Sequence, residues 1–249
     1  MSDDHERAVA RHYQASALTE RVLQAAAAAG LDIDRLTPEN LAPIDEFHIG
    51  GRAATKQLVG KMRLSGSEHV LDIGCGIGGA ARYVAASTGC RVTGIDLTPE
   101  YIETARALSA RTGLGGQTTF EPGSALRMPF ADASFDAAIT LHVAMNIKDR
   151  AGLYRETARV LKRNAVLCIY DVMKGANDEL RYPVPWADAE SSSYLTTPEQ
   201  MRVLLADAGF SVEEVEDRTD FGIAFFRERL PAGDAPSPLG LHLLMGDAS

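Results

Sequence analysis

The chain is poor in the residues that staple a fold or anchor it to a surface. It has three cysteines, at 75, 90 and 168, with no CxxC spacing and no histidine cluster beside them. That excludes a disulfide framework and argues against a metal site, and it suits a reducing compartment, the cytoplasm. Positive charge is scarce: 25 Lys and Arg against 34 Asp and Glu leave a net charge of -9. Nucleic acid and anionic membrane are therefore poor partners, and a small molecule is the better one. Long apolar runs are also missing. Near the N-terminus the longest is the alanine stretch at 25–29, preceded by charged residues, so neither a signal peptide nor a span of ~20 apolar residues is expected. No internal repeat of 20 to 50 residues, no heptad pattern and no nucleic-acid module is present.

What the chain does have is apolar segments ending in glycine or acid, spaced by helical patterns. The stretch from His69 to Ile73 reads as a buried strand, and Gly74, Gly76 and Gly79 after it fit G-x-G-x-x-G. That spacing permits a tight turn, a close approach of backbone to ligand, and packing of the next helix on the strand. Asp72 stands two residues before the first glycine. A bare pyrophosphate would be repelled by it, and a cationic ligand attracted. Arg91 to Asp96 reads as a second strand ending in an acid 24 residues after Asp72, the position from which a carboxylate accepts both ribose hydroxyls.

Further strands are expected at 117–121, 135–140, 165–171 and 210–216, with helices at 5–29, 52–63, 79–88, 99–111, 149–162 and 197–208, a further helical pattern at 221–230, and an irregular loop at 41–51. The alternation predicts an α/β fold, a doubly wound and mostly parallel sheet behind an N-terminal helical prelude. The expected organisation is a prelude and lid loop at 1–65, a core at 66–230 with a substrate-capping insertion at 172–195, and a tail at 231–249.

These features together resemble a class I S-adenosylmethionine-dependent methyltransferase over roughly residues 41 to 230, best from 70 to 96. Met128-Pro129-Phe130 followed by Asp132-Ala133-Ser134-Phe135-Asp136 resembles the family's segment before strand four, and Arg159-Val160-Leu161-Lys162 the helix end before strand five. Phe47-His48-Ile49-Gly50-Gly51, Gly76-Ile77-Gly78-Gly79 and His142-Val143-Ala144-Met145-Asn146 look like the small-molecule branch with sarcosine/dimethylglycine and tocopherol-type methyltransferases. The resemblance implies S-adenosyl-L-methionine as cofactor. It assigns Asp72, Gly74 and Gly76 to the methionine half, Asp96 and Leu97 to ribose and adenine, Ser124 and Ala125 to adenine, Leu141 and His142 to the sulfonium and substrate, and Met145 and Asn146 to the substrate.

Three departures from the family pattern are visible. Gly123-Ser124 replaces the usual Gly-Asp. Lys162-Arg163-Asn164-Ala165 replaces a glycine-rich turn, with Asn164 the residue that best tolerates positive φ. The closing hairpin has only 210–216 and Leu239 to Met245 available; failing that, a partner subunit in a homodimer covers the exposed edge.

Methyl transfer to a small acceptor is the implied activity, with nitrogen of an amino-acid-like amine favoured and oxygen or carbon as alternatives. A nicotinamide-dependent oxidoreductase and a non-catalytic cofactor binder are the rivals. His142 is the first candidate for a base and His48 the second; either can instead serve as a hydrogen-bonding or loop residue. Trp186 and Tyr194 in the insertion offer an aromatic wall for a methylated ammonium or simple loop packing. Asp171 offers an amine contact or a turn cap. Arg82 pairs with a carboxylate or lies on a solvated helix face.

Overall fold

The computed structural model describes residues 17–175 and 180–229. Three helices precede the first strand: α1, Leu18–Ala28; α2, Pro38–Asp45; and α3, Gly51–Met62. The residues at 5–16 of the expected first helix lie outside the described ones. α2 corrects the first part of the expected loop at 41–51, which is helical as far as Asp45, while 46–50 are irregular as expected. Thr37 caps it, with its hydroxyl accepting from the Asn40 N–H and the Asn40 side chain returning to the Thr37 N–H. This closed box sets the first turn, and Pro43, inside an eight-residue helix, removes only one ladder bond.

The core alternates as β1 His69–Ile73, α4 Gly79–Thr88, β2 Arg91–Asp96, α5 Pro99–Arg111, β3 Thr118–Pro122, β4 Phe135–Leu141, α6 Arg150–Val160 and β5 Leu161–Tyr170. The five strands form one sheet, all pairings parallel, in the order β3-β2-β1-β4-β5. The order reverses between β1 and β4, where a doubly wound sheet opens a crevice at its carboxyl edge. Val70, Val92 and Ile139 bury one face under α3, α4 and α5; Leu71, Ile73 and Ile95 bury the other against Leu153 and Tyr154 of α6. The prelude joins through a third cluster, in which Leu18, Val22, Leu41 and Ile44 pack on Ile77, Tyr101 and Leu108.

β5 begins at Leu161, earlier than its apolar run, and the glycine-free turn before that run is made by Asn164 at φ 63°. α7, Pro198–Asp207, and α8, Thr219–Arg229, follow. The strand expected at 210–216 is not formed. Phe210 and Val212 do pack toward the core, which is what their alternation encodes, but the segment has no ladder partner among the described residues. The proposed partner at 239–245 lies outside the described residues. Among the described residues, no helix is long and apolar enough to cross a membrane.

Candidate active site

The glycine turn forms because β1 must reverse over β2: the N–H groups of Gly74 and Cys75 both donate to the Ile95 carbonyl, at 2.8 and 3.0 Å. Gly74 holds φ +71°, and a Cβ there would overlap the Val143 side chain. At Gly79 a Cβ would overlap the backbone of Asp45, so the missing side chain is what lets the end of α2 sit on the start of α4. The Gly76 N–H donates to Asp96 Oδ2 at 2.9 Å, and the Thr98 N–H to Oδ1 at 2.9 Å. Thr98 thus orients Asp96, and its side chain makes no cap bond to α5.

Above this turn lies a cavity of about 520 Å³. Of the sequence candidates it brings together Asp72, Gly74, Gly76, Asp96, Leu97, Ser124, Ala125, Leu141, His142, Asn146 and His48. Asp45, Phe47, Ile77, Tyr101, Val143 and Ile147 also line it, and none of these was singled out from sequence. Phe47 adjoins His48 in a quoted motif. Asp45 had a signal in Arg82, a guanidinium set in an otherwise small and apolar helix.

Arg82 itself is a correction to a solvated face. It is fully buried, and its Nη2 donates to Asp45 Oδ1 at 2.5 Å and to the Ile77 carbonyl at 2.8 Å. Asp45 Oδ2 keeps no partner among the described residues. Burial, opposed by Arg82 and reinforced by Glu46, pushes the Asp45 carboxyl up to about 6.

Asp72 is 1% exposed, and its Oδ2 has no hydrogen-bond partner among the described residues. Burial, with Asp96 and Glu46 nearby, pushes its carboxyl up to about 7. A buried acceptor without a donor is costly, and the lowest-cost remedy is a cation or donor placed in the cavity. The Asp96 carboxyl is also raised by burial, against the backbone N–H groups that hold it.

At the far end, β4 delivers His142 in a left-handed conformation, φ 55°, with its N–H tied to the Tyr170 carbonyl at 2.7 Å. Its ring lies 5.1 Å from that of Tyr170 and 6.0 Å from that of His48. Burial and the nearby His48 lower its imidazole to about 3, and burial also lowers that of His48. Both rings are neutral at pH 7.

The other substrate candidates do not line the cavity. Asp171 is buried against Arg150, 3.3 Å away, and Arg150 also donates to the Tyr194 carbonyl at 2.9 Å. Met145 turns its carbonyl to the Tyr194 N–H, and the Trp186 indole donates to Ser193 Oγ at 3.0 Å. Asn146 donates to the Trp186 carbonyl at 2.7 Å and the Ser192 carbonyl at 3.2 Å. These bonds tie residues 186–194 of the insertion to the 144–150 segment, of which Asn146 lines the cavity.

Residues 71–169 match a family described as a methyltransferase domain. The O-methyltransferase resE of Aspergillus sclerotiorum is 33% identical over 181 residues, covering 71% of this chain and 67% of that protein. The sterol 24-C-methyltransferase of Eremothecium gossypii is 33% identical over 63% of this chain and 44% of its own length, so the chain spans two thirds of one relative and less than half of the other. Among solved structures, the [4+2]-cyclase SpnF aligns with a TM-score of 0.62 and 28% identity over 71% of this chain and 64% of that one. With the parallel sheet, the glycine turn and the acids of β1 and β2, these relationships establish that the chain belongs to the class I S-adenosylmethionine-dependent methyltransferases.

Proposed function

We propose that the chain transfers a methyl group from S-adenosyl-L-methionine to a small molecule held in this cavity. The observation that carries this reading is the buried, unpartnered Oδ2 of Asp72 beside a glycine turn: it calls for a cationic ligand, and the cofactor has an ammonium and a sulfonium. When bound, the cofactor supplies an electrophilic methyl on positively charged sulfur. Asp72, Gly74 and Gly76 hold its methionine half, Asp96 accepts from the ribose, and Ser124 and Ala125 border the adenine. The residues at the far end orient the acceptor and exclude water, and orientation alone supplies up to ~7 to 11 kcal/mol in favourable intramolecular cases. The three free thiols, Cys75, Cys90 and Cys168, fit a cytoplasmic enzyme.

An amino-acid-like amine is the acceptor favoured by the resemblance to the sarcosine/dimethylglycine branch, with Asp171, Trp186 and Tyr194 as its candidate contacts. Asp171 is held by Arg150 and the Trp186 indole by Ser193, so these side chains act in the protein's own contacts and lend that acceptor no contact of their own. The reading is tested by calorimetric titration with S-adenosylhomocysteine and, separately, NADH. Saturable binding of S-adenosylhomocysteine is expected; saturation by NADH alone overturns it in favour of an oxidoreductase.

A further inference from the structure

Four side chains at the start of α3 form a chain of hydrogen bonds that ends in the cavity. Glu46 is buried, its side chain 1% exposed. Its Oε1 accepts from Arg52 Nε at 2.6 Å and its Oε2 from the Thr55 hydroxyl at 2.5 Å. His48 Nε2 lies 3.1 Å from Thr55 Oγ1, 3.1 Å from the Gly51 carbonyl and 3.5 Å from Glu46 Oε2.

The proton positions follow from the chemistry of the partners. Thr55 has one hydroxyl proton and gives it to Glu46, so toward His48 it can only accept; the Gly51 carbonyl can only accept as well. The neutral His48 ring therefore carries its hydrogen on Nε2. Its Nδ1 is left as a bare acceptor, with no partner among the described residues, on a ring that lines the cavity.

We propose that Glu46 is a positioning residue that fixes His48 in this tautomer, and that His48 Nδ1 is the base for an acceptor bearing a phenolic or enolic hydroxyl. The proposal rests on the methyl-transfer reading above. A proton arriving at Nδ1 makes an imidazolium whose other nitrogen faces the Glu46 carboxylate, whereas His142 has no such acid behind it. The charged and titratable groups around His48 are Glu46 and Arg52, with the His142 and Tyr170 rings 6.0 and 6.2 Å from its own. Phe47, Val143 and Ile147 give the compartment apolar walls suited to a flat, uncharged body. Of the cavity's carboxylates with an unpartnered oxygen, Asp72 sits under the glycine turn and Asp45 is paired with the Arg82 guanidinium.

In the reaction the acceptor O–H bond breaks and its proton passes to His48 Nδ1. The oxygen pair forms the new bond to the methyl carbon, and the methyl–sulfur pair returns to sulfur. The products are a methyl ether, a neutral thioether and an imidazolium that releases its proton to solvent.

The first test uses the full chain with S-adenosylhomocysteine and long-range 1H–15N NMR of the imidazoles at pH 7. The Nε2–H tautomer of His48 is expected; an Nδ1–H tautomer or a cationic ring overturns the proposal, and this result needs no variant to fold. The second offers a panel of phenols, enols, aliphatic alcohols and amines and identifies products by mass spectrometry. Methyl ethers of the phenolic or enolic members are expected; product confined to nitrogen or carbon, or no product from any of them, overturns the acceptor class. On the best acceptor, Glu46→Gln and His48→Gln each lower kcat by about 100-fold, with acceptor KM and S-adenosylhomocysteine affinity nearly unchanged. An unchanged kcat removes the role of both residues while leaving methyl transfer intact, and failure of the wild-type chain to bind S-adenosylhomocysteine sinks the parent reading instead.

Discussion

Replacing Asp72 with Asn separates what the cavity does for folding from what it does for binding. Unfolded, this carboxyl ionises near 3.8, and folded near about 7. Between those values the folded state holds the extra proton, so stability falls as pH rises and the full cost is present above pH 7. The gap corresponds to about 4 kcal/mol. An Asn removes the charge but still buries an amide, so roughly half, about 2 kcal/mol, returns as stability, or about 4 to 8 °C in Tm. At pH 8 Asp72→Asn is therefore expected to melt higher than the wild type, with the difference shrinking toward pH 5. Its affinity for S-adenosylhomocysteine is expected to drop about 100-fold, since the ligand ammonium loses a desolvated counter-charge. Differential scanning calorimetry at the two pH values and isothermal titration at pH 8 measure both effects. A variant that gains no stability at high pH, or binds the ligand as the wild type does, refutes the reasoning.

Gly74→Ala is expected to lose about 3 kcal/mol, from a positive φ and the overlap with Val143; adding Val143→Ala should recover part of the Tm, and no recovery would reject the steric account. Arg82→Met strands Asp45 without its counter-ion and should cost about 3 to 5 kcal/mol in denaturant unfolding, with Asp45→Asn in the same chain restoring some of it. Asp171→Asn should cost about 3 kcal/mol by breaking its buried pair with Arg150 while leaving acceptor KM unchanged; a large rise in KM at constant Tm would return Asp171 to the substrate site.

β1 and β2 were legible because each pairs an apolar run with a boundary that has a mechanism, an edge into a glycine turn or an acid. α2 was missed because Pro43, Phe47, His48 and the Gly50-Gly51 pair outweighed a capping box that is only apparent once Thr37 and Asn40 are read together. The segment at 210–216 shows the limit of alternation: period two reports which side chains are buried, and a neighbouring strand is a separate requirement. The glycine-turn end of the cavity could be read for a similar reason, since most of its lining residues lie within one short stretch and its continuation. Asp45 and Glu46 could not, because a buried acid is recognised by its partners, and Arg82 lies 37 residues from Asp45. Trp186 and Tyr194 have the composition of a substrate wall, but only their hydrogen-bond partners separate a wall from a tie between two segments.

Asp45, Phe47 and His48 enter the cavity from ahead of β1, outside the 71–169 stretch that carries the family signature. The site is thus assembled from two parts of unequal freedom. On the proposed assignment, the sheet's turn and acids meet the cofactor, whereas the prelude meets whatever stands beside it. On that assignment, changes confined to some twenty residues before the sheet would redirect such an enzyme to a new acceptor without disturbing donor recognition, and comparisons limited to the shared core would group chains that act on unlike molecules.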